Sequence, residues 1–502
     1  MKDLYMGIDI GTTGVRSALF DVKGLQVGIA YKEYPMLSTQ PGMAELDPST
    51  ILSSIMEVVR DCIQKTGTIS GSICAIGLST QLFSLLAVDK EGNCLTNVLT
   101  WADNRSIKEA EYISQHYDCT GLYNVTGCRV QHPMYPLSKI LWLKKAYPEM
   151  FSKVYKFVSI KEYVLYMLFS EFVIDYTDAS TTACFNIHTF NWNEEILSEI
   201  LGIKKNRFGE PVECVYTLKG MKKEFAEAMG VRTDIPVVVG SGDGIMANVG
   251  CGVFDNTAMS CTIGTSGAIR IAVPEPLLDP QQRTWCYCFT KDTWVAGGAI
   301  NNGGIVLKWL RDNFKEQFRS DAQQNGCSSI YSLFDKFAGQ IAAGCEGLIF
   351  LPLLTGERSP NWNATARGVL YGLELSHDRR HFVKAAMEGV IYRMYSVYEA
   401  MTSINDHVQQ IRANGGYTAS DIWLQIQADV FGKEIAVAGV EEAAVFGVAY
   451  TAMVAVGEIS SLKQFLPAME VKKIIRPIEA NTEIYRRSYQ QFKDLYKKIY
   501  GT

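Results

Sequence analysis

Apolar positions along this chain come in short runs separated by polar or periodic stretches. Runs of strand length cover Leu4 to Ile8, Val15 to Phe20, Gly71 to Leu78, Leu82 to Val88 and Ile235 to Val239. The later part repeats the habit at Ala258 to Cys261, Ala268 to Val273, Trp294 to Ala296 and Ile411 to Asn414. Between them lie segments of helical length and period: Ser106 to Tyr117, Leu137 to Ala146, Ile305 to Phe314, Asp421 to Phe431 and Glu483 to Tyr500. Strands alternating with helices predict α/β layers. Asp89-Lys90-Glu91-Gly92 reads as a hairpin turn after the Leu82 to Val88 strand.

Two of the strand pairs enclose the same motif. Ile10-Gly11-Thr12-Thr13-Gly14 and Ile263-Gly264-Thr265-Ser266-Gly267 each read as strand, tight turn, strand. In such a turn glycine admits a ligand close to the backbone, and the hydroxyls and N–H groups offer donors to an anion. One Gly-Thr turn is ordinary hairpin chemistry, but its recurrence half a chain later predicts two related halves with a phosphate between them. A third turn, Gly240-Ser241-Gly242-Asp243-Gly244, sets a carboxylate at the end of a strand, where α/β proteins place their chemistry. Two more glycine turns, Gly297 to Gly304 and Gly415-Gly416, each lead into a helix and suit the edge of a phosphate or nucleotide.

At 502 residues the chain exceeds one hydrophobic core, and two large domains are expected, residues 1–245 and 246–502. A net charge of -5 with 20% charged residues gives no basic surface for nucleic acid or an anionic membrane. No apolar run reaches the roughly 18 residues of a membrane span. Met1-Lys2-Asp3-Leu4 enters the first strand without a leader pattern, so a cytoplasmic protein is expected. The 13 cysteines are dispersed and odd in number, which reads as free buried thiols. Cys286-Tyr287-Cys288 has no second pair or nearby histidine to complete a zinc site.

Taken together, Asp9-Ile10-Gly11-Thr12-Thr13, the turn holding Asp243, Thr262 to Gly267 and Asn414-Gly415-Gly416 resemble the FGGY carbohydrate kinases over nearly the whole chain. The resemblance implies two actin-like, ribonuclease-H-type domains that close over ATP and a sugar or polyol. Within the family, gluconate kinases are the most similar, through Thr100 to Ser106, His132-Pro133-Met134, Val295 to Gly304 and Gly356 to Pro360, and xylulose kinases come next. Many of both groups carry a Met-His pair where this chain has Leu82-Phe83, so one polar contact that could select the sugar is missing.

The roles that follow are those the resemblance implies. Asp243 is the general base for a sugar hydroxyl, and Asp9 with Asp243 holds Mg²⁺. Thr12, Thr13, Arg16, Thr265 and Ser266 meet the ATP phosphates. Gly415, Gly416 and Ser420 flank the base, and Gly304 and Lys308 the ribose or phosphates. Gln81, Trp101, Asp103, His132 and Asp243 meet the sugar. The expected substrate is a small sugar or sugar acid, D-gluconate first and a ketose such as xylulose or a polyol second, with neither nucleic acid nor membrane as partner; a homodimer is compatible. A catalytically silent sugar-binding regulator and an ATPase acting on a protein partner are the readings from other classes. Retention of Asp9, both hydroxyl turns and Asp243 weighs against the first, and Trp101 to Arg105 against the second.

Overall fold

A computed structural model describes residues 3–501; Met1 and Lys2, at the start of the first expected domain, and Thr502 lie outside the described residues. Two sheets organise the fold. The first is built from β1 (Leu4–Ile10), β2 (Gly14–Asp21), β3 (Gln26–Glu33), β4 (Ile73–Thr80), β5 (Thr217–Leu218) and β6 (Val237–Val238), in the order β5-β6-β4-β1-β2-β3. The second is built from β7 (Ala258–Ile263), β8 (Gly267–Val273), β9 (Trp285–Thr290), β10 (Thr293–Ile300), β11 (Gln410–Asn414), β12 (Ile435–Ala438) and β13 (Val471–Ile475), in the order β9-β10-β8-β7-β11-β12-β13.

Both sheets share one topology. β1, β2 and β3 form an antiparallel meander, and β4 then β6 add on parallel beyond β1. β7, β8 and β10 form the same meander, and β11 then β12 add on parallel beyond β7. This is the ribonuclease-H arrangement of actin-like domains, used twice. It sets the two hydroxyl turns, β1–β2 and β7–β8, at corresponding corners.

Strand β1 is buried along its whole length because both of its faces are covered. Met6, Ile8 and Ile10 join a cluster with Ile51, Ile55 and Val59 of helix α1 (Pro48–Thr66). On the other face a Cβ on Gly7 or Gly77 would overlap the backbone carbonyls of Val445 and Val448, so only glycine lets helix α6 (Ala443–Ala455) lie directly on β1 and β4. Helix α2 (Asp243–Gly250) crosses α6 in backbone contact, Gly447 against Met246 and Gly250 against Ala443. In the second half, helix α4 (Arg379–Thr402) packs beneath β8 and β10, meeting Gly267 through Met394 and Gly298 through Val397.

The halves also meet along a seam. Strand β9 at the edge of the second sheet is held by the earlier part of the chain: Tyr123 Oη donates to Thr284 O (3.0 Å), Cys286 N to Gly127 O (3.0 Å) and Thr177 Oγ1 to Cys288 O (2.7 Å). Two buried phenols, Tyr135 and Tyr287, meet across it at 3.3 Å. No helix among the described residues is long and apolar enough to cross a membrane. All 13 cysteines are free.

The expected strand Leu82 to Val88 shortens to Leu86–Val88. Phe83 takes φ 67°, a left-handed backbone no strand accommodates, and its carbonyl turns inward to accept from Lys139 Nζ (3.1 Å).

Candidate active site

The ends of β1 and β4 meet the start of α2, with Gln81 N donating to Ile10 O (2.9 Å) and Thr80 bridged to Gly242, and Arg270 of β8 reaches this corner from the second half. Asp9 sits near the end of β1, opposite Arg16 on β2 and Ser79 on β4. It is 8% exposed and its Oδ1 has no hydrogen-bond partner. Burial, and then the charge of Asp243, push its ionisation up to about 7. A buried carboxylate oxygen with no protein donor, facing a second carboxylate, suits a hard divalent cation that takes oxygen ligands.

Asp243 opens α2 at a helix N-terminus, half-buried, with Oδ1 accepting from Gly244 N (2.6 Å). Burial raises its ionisation, while the guanidinium groups of Arg270 and Arg358 and the Gly244 N–H oppose the rise. Arg270, on β8, lies so close over Gly244 that a Cβ there would meet Nε and Nη2 at 2.6 Å. The glycine after the carboxylate is therefore a docking surface for a cation reaching across from the other domain. Sequence reasoning passed over Arg270, since an arginine inside an apolar strand carries no motif.

On the sugar side, Gln81, Thr12 and Trp101 are linked. Thr12 Oγ1 donates to Gln81 Oε1 (2.8 Å) and accepts from Trp101 Nε1 (3.0 Å). The Thr12 hydroxyl, expected at the phosphates, is thus tied into the opposite wall. His132 is half-buried beside them, its ring edge-on to Trp362 at 5.5 Å. Burial and the nearby charges of Arg358, Lys139 and Arg129 push its ionisation down to about 3, so it is neutral. Its Nδ1 accepts from Met134 N (3.2 Å), which leaves the proton on Nε2 as a donor. Phe83 packs edge-on to Tyr135 and Tyr287, at 5.6 and 6.1 Å.

Asp103 departs from expectation. It is fully buried, and its carboxylate is taken up by Arg105 Nε and Nη2 (3.0 and 2.7 Å) and Ala44 N (3.0 Å). It anchors the loop that carries Trp101 and presents no free acceptor to the cleft. Arg16 is likewise engaged, 3.7 Å from Glu442 and 4.6 Å over the Tyr31 ring. Thr13 is exposed at the turn's tip.

The nucleotide-side residues converge more fully. Thr265, Gly304, Lys308, Gly416 and Ser420 all line one cavity of about 540 Å³. The β7–β8 turn is tied to helix α3 (Ile305–Asn313): Thr265 O accepts from Gly303 N (3.1 Å) and Ile305 N (3.2 Å), and Gly264 O from Gly304 N (2.7 Å). Thr265 is exposed and Ser266 half-buried at the turn's tip. Gly415 stands behind the cavity against Ile263, where a Cβ would meet Ile263 O at 2.8 Å. Ser420 caps helix α5 (Asp421–Phe431) and donates to Asp335 Oδ1 (2.5 Å). Walls of Tyr331, Phe334 and Trp423 with Asp335 at the edge fit a flat, apolar ring system carrying donors. Asp335, on a helix without sequence motif, was not among the expected residues.

Outside the cleft, ligand atoms of Glu346, His377 and His381 lie within 4.8 Å of one another. His377 Nδ1 accepts from Glu374 N (3.0 Å), so its Nε2 carries the proton, and the group reads as a carboxylate faced by imidazole N–H rather than as a metal site.

Comparison with known proteins agrees over the full length. The N-terminal domain model of the FGGY family of carbohydrate kinases matches residues 4–250 and the C-terminal domain model residues 259–456. The chain is 35% identical over 500 residues to a gluconokinase of Bacillus licheniformis, covering 99% of this chain and 96% of that protein. Among solved structures it is similar to a gluconate kinase from Lactobacillus acidophilus (31% identity, TM-score 0.91, 99% and 98% of the two chains). A ligand-bound xylulose kinase from the same organism is as similar (31%, TM-score 0.92, 99% and 98%).

Proposed function

The chain belongs to the FGGY family of carbohydrate kinases, and on that premise we propose that it transfers the terminal phosphoryl group of ATP to D-gluconate in the cytoplasm, forming 6-phosphogluconate. One observation carries the phosphoryl-transfer reading: Asp9, at the end of β1 beside the first hydroxyl turn, and Asp243, at the start of α2 with Arg270 of the second half seated on its turn, are both raised in ionisation by burial, and the charge of Asp243 raises Asp9 further. A sugar hydroxyl is a poor nucleophile at neutral pH, and a carboxylate whose proton affinity is raised is the better base for it. Asp243 orients that hydroxyl and accepts its proton as the oxygen attacks phosphorus. Arg270, poised over Gly244, keeps Asp243 ionised until then and offsets charge that builds up on the phosphoryl oxygens. Thr265, Ser266 and the N–H groups of their turn hold the phosphates, while the base lies in the cavity walled by Trp423 and Phe334. Asp9, with its free Oδ1, and Asp243 are the residues to hold Mg²⁺, which when bound neutralises phosphate charge.

Gluconate is favoured over a ketose by the electrostatics of the sugar wall. The charges of Arg358 and Arg129 bear on His132, while Lys139 is held on the Phe83 and Thr100 carbonyls with its ionisation pushed down to about 7 by burial, and Asp103 is already neutralised by Arg105. A net positive wall suits a sugar acid. The test is a coupled assay with Mg²⁺-ATP over D-gluconate, D-xylulose, L-xylulose, ribulose, erythritol and glycerol. D-gluconate should give the highest kcat/KM. A value at least ~10-fold below that of the best ketose overturns the gluconate assignment and leaves the kinase assignment standing.

A further inference from the structure

We propose that Arg358 is the anchor for the carboxylate of an anionic sugar substrate, a specificity-determining residue on the Trp101 side of the site. The proposal rests on the kinase reading above and deepens it.

Two arginines are buried among the described residues, Arg358 and Arg393, and Arg393 is paired with Glu357. Arg358 is 8% exposed and forms no ion pair among the described residues. Its Nη2 reaches Ile300 O only at 3.4 Å, and its Nε has no partner. Burial, with the charge of Arg270 added, pulls its ionisation down to about 10 against the opposing influence of Tyr287, Tyr135 and Asp243, which still leaves it charged at neutral pH. A buried, charged fork with most of its donors idle is costly unless an anion completes it.

Position identifies that anion. The guanidinium lies over the Trp101 ring at 5.2 Å, and Trp101 is hydrogen-bonded to Thr12 and through it to Gln81. It also bears on His132, whose free Nε2–H is the adjacent donor. Of the two arginines that bear on Asp243, Arg270 is the one seated on its turn, against Gly244, while Arg358 lies against Trp101. An aldonic acid that presents its terminal hydroxyl to Asp243 carries its carboxylate at the other end of the carbon chain. A planar guanidinium accepts a carboxylate in two parallel hydrogen bonds, which a neutral CH₂OH group cannot reproduce.

The test compares D-gluconate with D-glucitol, which replaces the carboxylate by CH₂OH, in wild type, Arg358→Gln and Arg358→Lys. Arg358→Gln should lower the gluconate-to-glucitol ratio of kcat/KM at least ~30-fold, because a desolvated charge pair loses one partner. Arg358→Lys should fall between, keeping the charge and losing the fork. Calorimetric titration of gluconate without nucleotide should show the same loss for Arg358→Gln, with the KM for ATP within ~3-fold of wild type. Equal losses on both acceptors, or a loss confined to ATP, overturn the assignment and place Arg358 at the phosphoryl group. The substrate reading is judged separately, on wild type alone: failure to bind or phosphorylate any sugar acid removes it, and the carboxylate anchor with it.

Discussion

The two hydroxyl turns occupy matching corners of the two sheets but close differently: in the first, Gly11 N donates to Gly14 O, three residues on (3.0 Å), and in the second, Gly264 N donates to Ser266 O, two residues on (2.9 Å). Their side-chain contacts diverge too. Thr12 is closed between Gln81 and Trp101 and so belongs to the sugar wall, whereas Thr265 opens into the nucleotide cavity. The residue two before each glycine differs as well. The first half has Asp9 there, with a free carboxylate oxygen, and the second has Thr262, whose hydroxyl donates to Asn414 Oδ1 (2.8 Å). A repeated motif thus predicts shared position in the fold without shared contacts. The free carboxylate oxygen sits in the first half and the open hydroxyl in the second.

The largest effects should come from the carboxylates of the first half. Asp243→Asn should keep sugar and ATP binding and lose at least ~100-fold in kcat, the usual worth of general-base assistance. Turnover within a few-fold of wild type removes Asp243 from the role. Asp9→Asn should cost roughly 10- to 100-fold in kcat and raise the Mg²⁺ concentration needed for half-maximal rate. The matching change in the second half, Thr262→Val, should stay within a few-fold in kcat. Equal losses from the two would show the turns to be chemically equivalent and break the contrast.

Much of this was legible in the sequence, for particular reasons. The turns, the Asp243 loop and the helices Ile305–Asn313 and Asp421–Phe431 announce themselves through glycine, hydroxyls and period. Helices α4 and α6 do not. α6 is buried on nearly every side between β1 and α2, so its apolar residues show no stripe, and α4 lies similarly enclosed. The site divides along the same line. Asp9, Asp243 and the nucleotide-side glycines follow from local motifs; Arg358 lies in the Gly356 to Pro360 run, which does not reveal what it faces, and Arg270, inside an apolar strand, is marked by no motif although it lies against Gly244 of the other half. Asp103 misled for the converse reason: a polar run after a strand cannot reveal that Arg105, two residues on, already holds it.

A smaller effect should separate the turns by substrate. Thr12→Val leaves the Trp101 indole N–H and the Gln81 carbonyl without their partner, so it should raise the KM for sugar by roughly 10-fold and leave the KM for ATP nearly unchanged. Thr265→Val should do the reverse by a similar factor. Crossed effects, with Thr12→Val acting chiefly on ATP, would return Thr12 to the phosphates and merge the two turns again.

The smallest effect concerns stability and runs opposite to catalysis. Asp9 ionises near 7 in the folded protein, against 3.8 for an ordinary aspartate, because burial and Asp243 disfavour its charge. Between those values the unfolded chain has released the proton that the folded chain still holds. Folding stability therefore falls as pH rises through this window, by at most about 4 kcal/mol in total, and is flat above it. Asp9→Asn removes the liability. Without nucleotide or metal, the variant should melt a few degrees above wild type at about pH 8 and level with it at about pH 4, as followed by calorimetry. Mg²⁺-ATP should narrow the gap at high pH, since a cation at Asp9 compensates the charge in wild type and finds no counterpart in the variant. A variant that melts lower than wild type at both pH values would mean that the Asp9 carboxylate is satisfied by the protein itself, and the first half would then lose the feature that sets it apart from the second.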